Sequence, residues 1–152
     1  MDGSTTQPTQ RSVETASGRI NYIERGKGPV ALFVHGVLLN SHLWRQQLAD
    51  LCEFRRCIAL DLLAHGDTEI RPDQDVSVTA NARMLEQFLD VVNIPQVDLV
   101  GNDRRFWRPS APFFPEERWE EFNRELRAHW QASAQQTTAC TELTASFDRP
   151  VR

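Results

Sequence analysis

Two short runs, "VALFVH" at residues 30–35 and "RCIALDL" at 56–62, are apolar at nearly every position. A strand with one face in water alternates apolar and polar side chains. A continuous apolar run has to be covered on both faces, and that is the habit of strands in a parallel sheet flanked by helices. The residues between the runs supply such a cover. In "NSHLWRQQLADLCEF", Asn40 or Ser41 can cap a helix, and Trp44, Leu48 and Leu51 fall on one face at helical spacing.

The pattern continues in both directions. Upstream, "SVETASGRINYIERGKGPVALFVHG" holds three strand signals, divided at Gly18 and again at Gly26 and Gly28. The second alternates, with Ile20 and Tyr22 on one face and Asn21 and Ile23 on the other. Downstream, Ser77 can cap a second helix with a face of Val78, Ala82, Leu85, Leu89 and Val92. Pro95 ends that region and "VDLVGN" reads as a fifth strand. The order β-β-β-α-β-α-β predicts an α/β fold with a largely parallel sheet of about five strands and flanking helices.

A net charge of −4 gives no overall attraction to nucleic acid or anionic lipid. No apolar run is long enough to span a bilayer. "MDGSTTQPTQ" lacks the zones of a signal peptide, and a cytoplasmic location is expected. Cys52, Cys57 and Cys140 have no metal-ligand spacing, so reduced thiols and neither metal nor cofactor are expected.

Three strand ends carry possible chemistry: His35-Gly36, His65-Gly66 and Gly101-Asn102-Asp103. In open α/β sheets the ligand crevice lies beyond the carboxyl ends of the strands. Here "VALFVHGVLLNSHLW", "CIALDLLAHGDTE" (close to D-L-x-x-H-G-x-S/T) and "VDLVGND" together resemble the α/β-hydrolase family. The resemblance implies an oxyanion hole at Gly36 and Val37, completed by the Arg104 backbone, with His35 and His65 lining the site. It puts Asp103 at the nucleophile position, similar to the branch of haloalkane dehalogenases and epoxide hydrolases. There a carboxylate attacks carbon and a histidine-activated water cleaves the ester. Val37 and Arg104 stand where the dehalogenases carry halide-binding side chains, so the resemblance does not favour that activity. Asn-Asp also favours an ordinary turn.

The pattern departs at Arg105, where the elbow needs a small residue, and Pro109 and Pro112 break any helix begun at the corner. "FFPEERWEEFNRELRAHW" then resembles the last helix of the family, with Pro115 at its start and Trp119, Phe122, Leu126 and Trp130 on one face. An internal deletion is inferred, removing the catalytic acid and histidine. The expected organisation is a loose tail over 1–10, the N-terminal part of the domain over 11–103, a junction over 104–114, a terminal helix over 115–130 and a disordered tail over 131–152. His42 and His129 are expected to be structural. "RRFWR" is too small a basic patch for nucleic-acid binding. Two function classes follow: an impaired hydrolase acting on a small molecule, or a non-catalytic remnant that binds a partner, or a second copy of itself, through an open sheet edge.

Overall fold

The computed structural model describes residues 8–102 and 118–147, the latter with side chains as far as residue 134. The chain divides into two compact units, Met1–Trp119 and Glu120–Arg152.

In the first unit five strands form one sheet: β1 (Thr9–Thr15), β2 (Gly18–Arg25), β3 (Val30–Val34), β4 (Arg56–Leu60) and β5 (Asp98–Gly101). Their spatial order is β1-β2-β4-β3-β5. The β1–β2 and β2–β4 pairs are antiparallel; β3 runs parallel to both β4 and β5. The sheet is therefore mixed, and its parallel part comprises the two continuous apolar runs and β5. The first strand begins at Thr9, inside the expected tail, and pairs Thr9 with Glu24. On β2 the expected one-sided burial is corrected: Ile20, Asn21, Tyr22 and Ile23 are all buried. The strand is interior to the sheet, and Asn21 is tolerated there because its amide groups are bonded, as described below.

Helices cover both faces. A 3₁₀ turn, Ser41–Trp44, leads into α1 (Arg45–Leu51), and the Asn40 carboxamide caps the turn by accepting from the His42 amide at 3.0 Å. The expected face is borne out: Trp44, Leu48 and Leu51 are buried, and the Trp44 ring packs on Phe33 with centroids 5.2 Å apart. On the opposite face lies α2 (Val78–Val91), capped by Ser77, whose hydroxyl accepts from the Ala80 amide at 3.2 Å. Its buried stripe differs from the expected one. Met84 and Phe88 sit at the centre, while Val78 is 88% exposed and Ala82 is exposed. The stripe starts a turn later because Val78 lies in the first turn, beyond the edge of the core. Phe88 meets Tyr22 edge-on at 5.1 Å, within a cluster that includes Ile20, Leu32, Ile58, Leu60 and Met84.

The second unit consists of α3 (Trp119–Phe147), with Glu120 and Glu121 in its first turn where the helix dipole favours them. It runs past Trp130 to Phe147, into the stretch for which a disordered tail is expected from sequence. Residues 131–147 contain no glycine or proline and several alanines and glutamines. A missing apolar stripe does not stop a helix whose residues have helical propensity. Pro115 and the junction lie outside the described residues. No described helix is long and apolar enough to cross a membrane.

Candidate functional site

The parallel registers Val34↔Leu60 and Val34↔Gly101 make β3, β4 and β5 end level with one another. The next residues, His35, Asp61 and Asn102, therefore open three adjacent loops at the carboxyl ends of the strands, where open α/β sheets place their ligands.

Asp61 ties these loops together. It is 2% exposed, and its carboxylate accepts from the Ser41 amide (2.7 Å), the Asn21 carboxamide (2.9 Å) and the Asp67 amide (3.0 Å). Its backbone carbonyl accepts from the Thr68 hydroxyl at 2.8 Å, and that hydroxyl accepts from the Asn21 amide at 3.0 Å. Burial alone would raise the Asp61 pKa. The bonds from the Asp67 and Ser41 amides and from Asn21 outweigh it and hold the carboxyl below its ordinary range. Gly66 has φ +53°, and a Cβ there would overlap the Asp61 carboxylate. That overlap is the local reason for glycine after His65. Sequence reasoning assigned Asp61 no role, although it is the first residue of the D-L-x-x-H-G-x-S/T pattern.

The two loop histidines differ. His35 is 2% exposed and uses both ring nitrogens on backbone: Nδ1 lies 2.8 Å from the Gly36 carbonyl, and Nε2 accepts from the Leu62 amide at 3.1 Å. A carbonyl only accepts, so Nδ1 carries the proton and the ring is neutral. Burial pushes its pKa down, the Gly36 bond opposes this, and nearby His65 lowers it further. His65 is half-buried, with its ring centroid 5.2 Å from that of His35. Its Nδ1 donates to the Leu63 carbonyl at 2.9 Å, which leaves Nε2 as the basic nitrogen.

Backbone strain gathers at this edge. Leu38 (φ 67°) and Ala64 (φ 61°) are left-handed without the short polar side chain that eases Asp73 and Asn93 into that region. Val37 and Leu38 are 79% and 84% exposed. Gly36 adjoins the end of β5: a Cβ on it would stand 3.0 Å from the Asn102 carbonyl oxygen, and the Asn102 amide donates to Val34 at 3.3 Å. The backbone leading into Val37 thus lies against the backbone leading into residue 103. Asp103 and Arg104 themselves lie outside the described residues.

The remaining candidates lie on other elements. His42 is exposed on the 3₁₀ turn, and His129 is exposed on α3 in the other unit. Burial pushes the Cys57 thiol up to about 12, which leaves it inert, and Cys52 is a free thiol at the end of α1. Among the described residues no three His, Cys, Asp or Glu side chains are grouped to hold a metal ion.

Comparison with known proteins agrees with this geometry. Residues 29–104 match a family model described as the alpha/beta hydrolase fold. A haloalkane dehalogenase of Mesorhizobium japonicum is 32% identical over 154 aligned positions, covering 90% of this chain and 50% of that protein. Epoxide hydrolase 2 of Caenorhabditis elegans is 32% identical over 95 positions, covering 60% of this chain and 26% of its own length. The crystal structure of an epoxide hydrolase from Vigna radiata superposes with a TM-score of 0.61 at 30% identity, covering 66% of this chain and 33% of that one. The chain spans half the length of these relatives or less.

Proposed function

This chain belongs to the α/β hydrolase fold family, and from that premise we propose that it descends from a hydrolase of small molecules acting through the Asp103 carboxylate. In this reading Asp103 attacks a carbon bearing a leaving group, and the backbone amides of Val37 and Arg104 form the oxyanion hole, which stabilises charge when water later cleaves the ester. The observation that carries the reading is the contact between Gly36 and Asn102, the residues that precede Val37 and Asp103. The substrates named for the relatives, haloalkanes and epoxides, are the classes to try first.

The second step needs a general base within reach of the attacking water. The chain has four histidines. Both nitrogens of His35 are bonded, His42 and His129 are exposed on helical segments, and His65, whose Nε2 is free, lies on the loop that by resemblance lines the site without supplying its base. We therefore propose that these 152 residues by themselves cleave the ester poorly. A haloalkane is expected to lose its halide once, with at most one equivalent of alkyl adduct per chain and no multiple turnover. Intact mass spectrometry with Asp103→Asn as control reads this directly. Turnover that vanishes in Asp103→Asn would give the chain a working base; an adduct unchanged in that variant would remove Asp103 from the reading.

A second reading, a non-catalytic remnant that pairs with another copy of itself, is favoured by the place of β5. It lies at the end of the sheet, bonded among the described strands only to β3, with Leu99 64% exposed. A concentration-independent monomer in light scattering would argue against it. Residues 104–147 also admit two origins. One is an internal deletion that joins β5 to a terminal helix. The other makes α3 the stretch that follows β5 in the relatives. The Mesorhizobium alignment favours the second: 90% of 152 residues, about 137, fall within 154 aligned positions, so about 17 positions are gaps, too few for half a domain. Genomic sequence around codon 103 separates the two.

A further inference from the structure

His35 is a buried titratable group that the proposed chemistry does not use, and its bonds leave it one protonation state. Its Nδ1 proton is held by the Gly36 carbonyl at 2.8 Å, and its Nε2 lone pair is held by the Leu62 amide at 3.1 Å. A second proton has only Nε2 to go to, and there it would point at an N–H that is itself a donor. We propose that His35 is an acid-operated latch between the loops after β3 and β4. In its neutral state it pins Leu62, and on protonation it releases the Leu62–Thr68 loop, which carries His65.

The loop is suited to such release. Ala64 is held left-handed at φ 61°, so opening relieves strain. Among the described residues, the charged or titratable groups that act on His35 are His65 on the loop after β4, whose charge would oppose a proton on His35, and Asp61 at the end of β4, which favours one. Asp61 still holds the far end of the loop through the Asp67 amide, and the Asn81 carboxamide still accepts from the Leu63 amide at 2.9 Å, so acid frees the Leu62 amide first. The sign follows from linkage. The closed state binds the His35 proton less readily than the open state, so falling pH favours opening. The effect begins near the ordinary histidine value of about 6.5 and levels off at the lower value of the closed state. The latch does not depend on the hydrolase reading.

Amide hydrogen exchange on the whole chain tests it. The protection factor of the Leu62 amide, the inverse of its opening equilibrium, is expected to fall by up to about tenfold for each pH unit below roughly 6.5. The Ile58 amide inside β4 should not follow it. His35→Gln, whose side-chain oxygen can accept from Leu62 without titrating, should flatten the Leu62 profile. The same slope in His35→Gln, or a parallel fall at Ile58, would overturn the proposal. If His35→Gln does not fold, imidazole nitrogen chemical shifts in the native chain decide: a proton on Nε2 at neutral pH defeats the latch.

Discussion

The two ends of the parallel strands are built on opposite principles. At the carboxyl ends, β3, β4 and β5 run into loops tied by buried polar groups, with a carboxylate that accepts three bonds and an imidazole that uses both nitrogens. At the amino ends, β3 and β5 begin beside a hollow lined by Pro29, Val30, Arg55, Gln96, Val97 and Asp98. One polar tie there is an Arg55–Asp98 ion pair at 2.7 Å, with the Asp98 side chain 45% exposed. The difference lies in what water can repair. A partner lost at the exposed end is replaced by solvent, whereas a partner lost at the buried end leaves a donor with nothing. Strain follows the same division, since Leu38 and Ala64 are held left-handed at the buried end. A fold keeps such strain where the surroundings over-determine the backbone, which is the condition for presenting groups to a ligand.

The largest test of the contrast is Asp61→Ala. It removes the acceptor of three bonds to a charged group, each worth about 1.5 kcal/mol, so a loss of about 4 kcal/mol is expected in urea unfolding. A loss below about 1 kcal/mol would mean that this end is no more committed than the other. The same group sets an acid limit. Its folded pKa is below the unfolded value of about 3.9, so its stabilisation is complete above about pH 4 and is lost as pH falls through the folded value. Asp61→Asn should remove that part of the acid sensitivity, visible as a flatter stability profile below pH 4.

Asp61 also shows what the sequence could and could not disclose. The apolar runs of β3 and β4 required burial on both faces, and Trp44, Leu48 and Leu51 required a helix over one of them; both follow from local periodicity. The caps at Asn40 and Ser77 are local as well. The partners of Asp61 come from residues 21, 41 and 67, and no window of sequence contains them. The pattern placed His35 and His65 in the loops after β3 and β4, but which ring nitrogen of each carries the proton depends on carbonyls fixed by the folded loops. On α2 the apolar stripe was legible and its limit was not, because the exposure of Val78 depends on how far the sheet extends beneath the helix.

A smaller effect of opposite sign is expected at Leu38. Its side chain is 84% exposed, so removing it forfeits little burial, while the left-handed backbone costs a branched residue about 1–2 kcal/mol. Glycine gives back about 0.5–1 kcal/mol of that in unfolded-state entropy. Leu38→Gly should therefore stabilise the chain by roughly 0.5–1 kcal/mol. Destabilisation would show that Leu38 contributes packing beyond its exposed surface.

The smallest effect belongs to the Arg55–Asp98 pair, and it sharpens the contrast most cleanly because the pair is also short. Distance alone would make it the equal of the Asp61 bonds. Exposure argues otherwise. The Asp98 carboxylate keeps water on one side, Coulomb attraction is screened, and holding the long Arg55 side chain in place has an entropic cost. Arg55 is the more buried partner, with 16% of its side chain exposed, and Arg55→Ala alone also forfeits packing of its stem. Single variants therefore misreport the pair, and a double-mutant cycle of Arg55→Ala and Asp98→Ala is needed. The coupling is expected at about 0.2–1 kcal/mol in low salt and should fall further at 1 M salt. A coupling near that of a single Asp61 bond, unchanged by salt, would place the ion pair in a dry setting and erase the distinction between the two ends of the sheet.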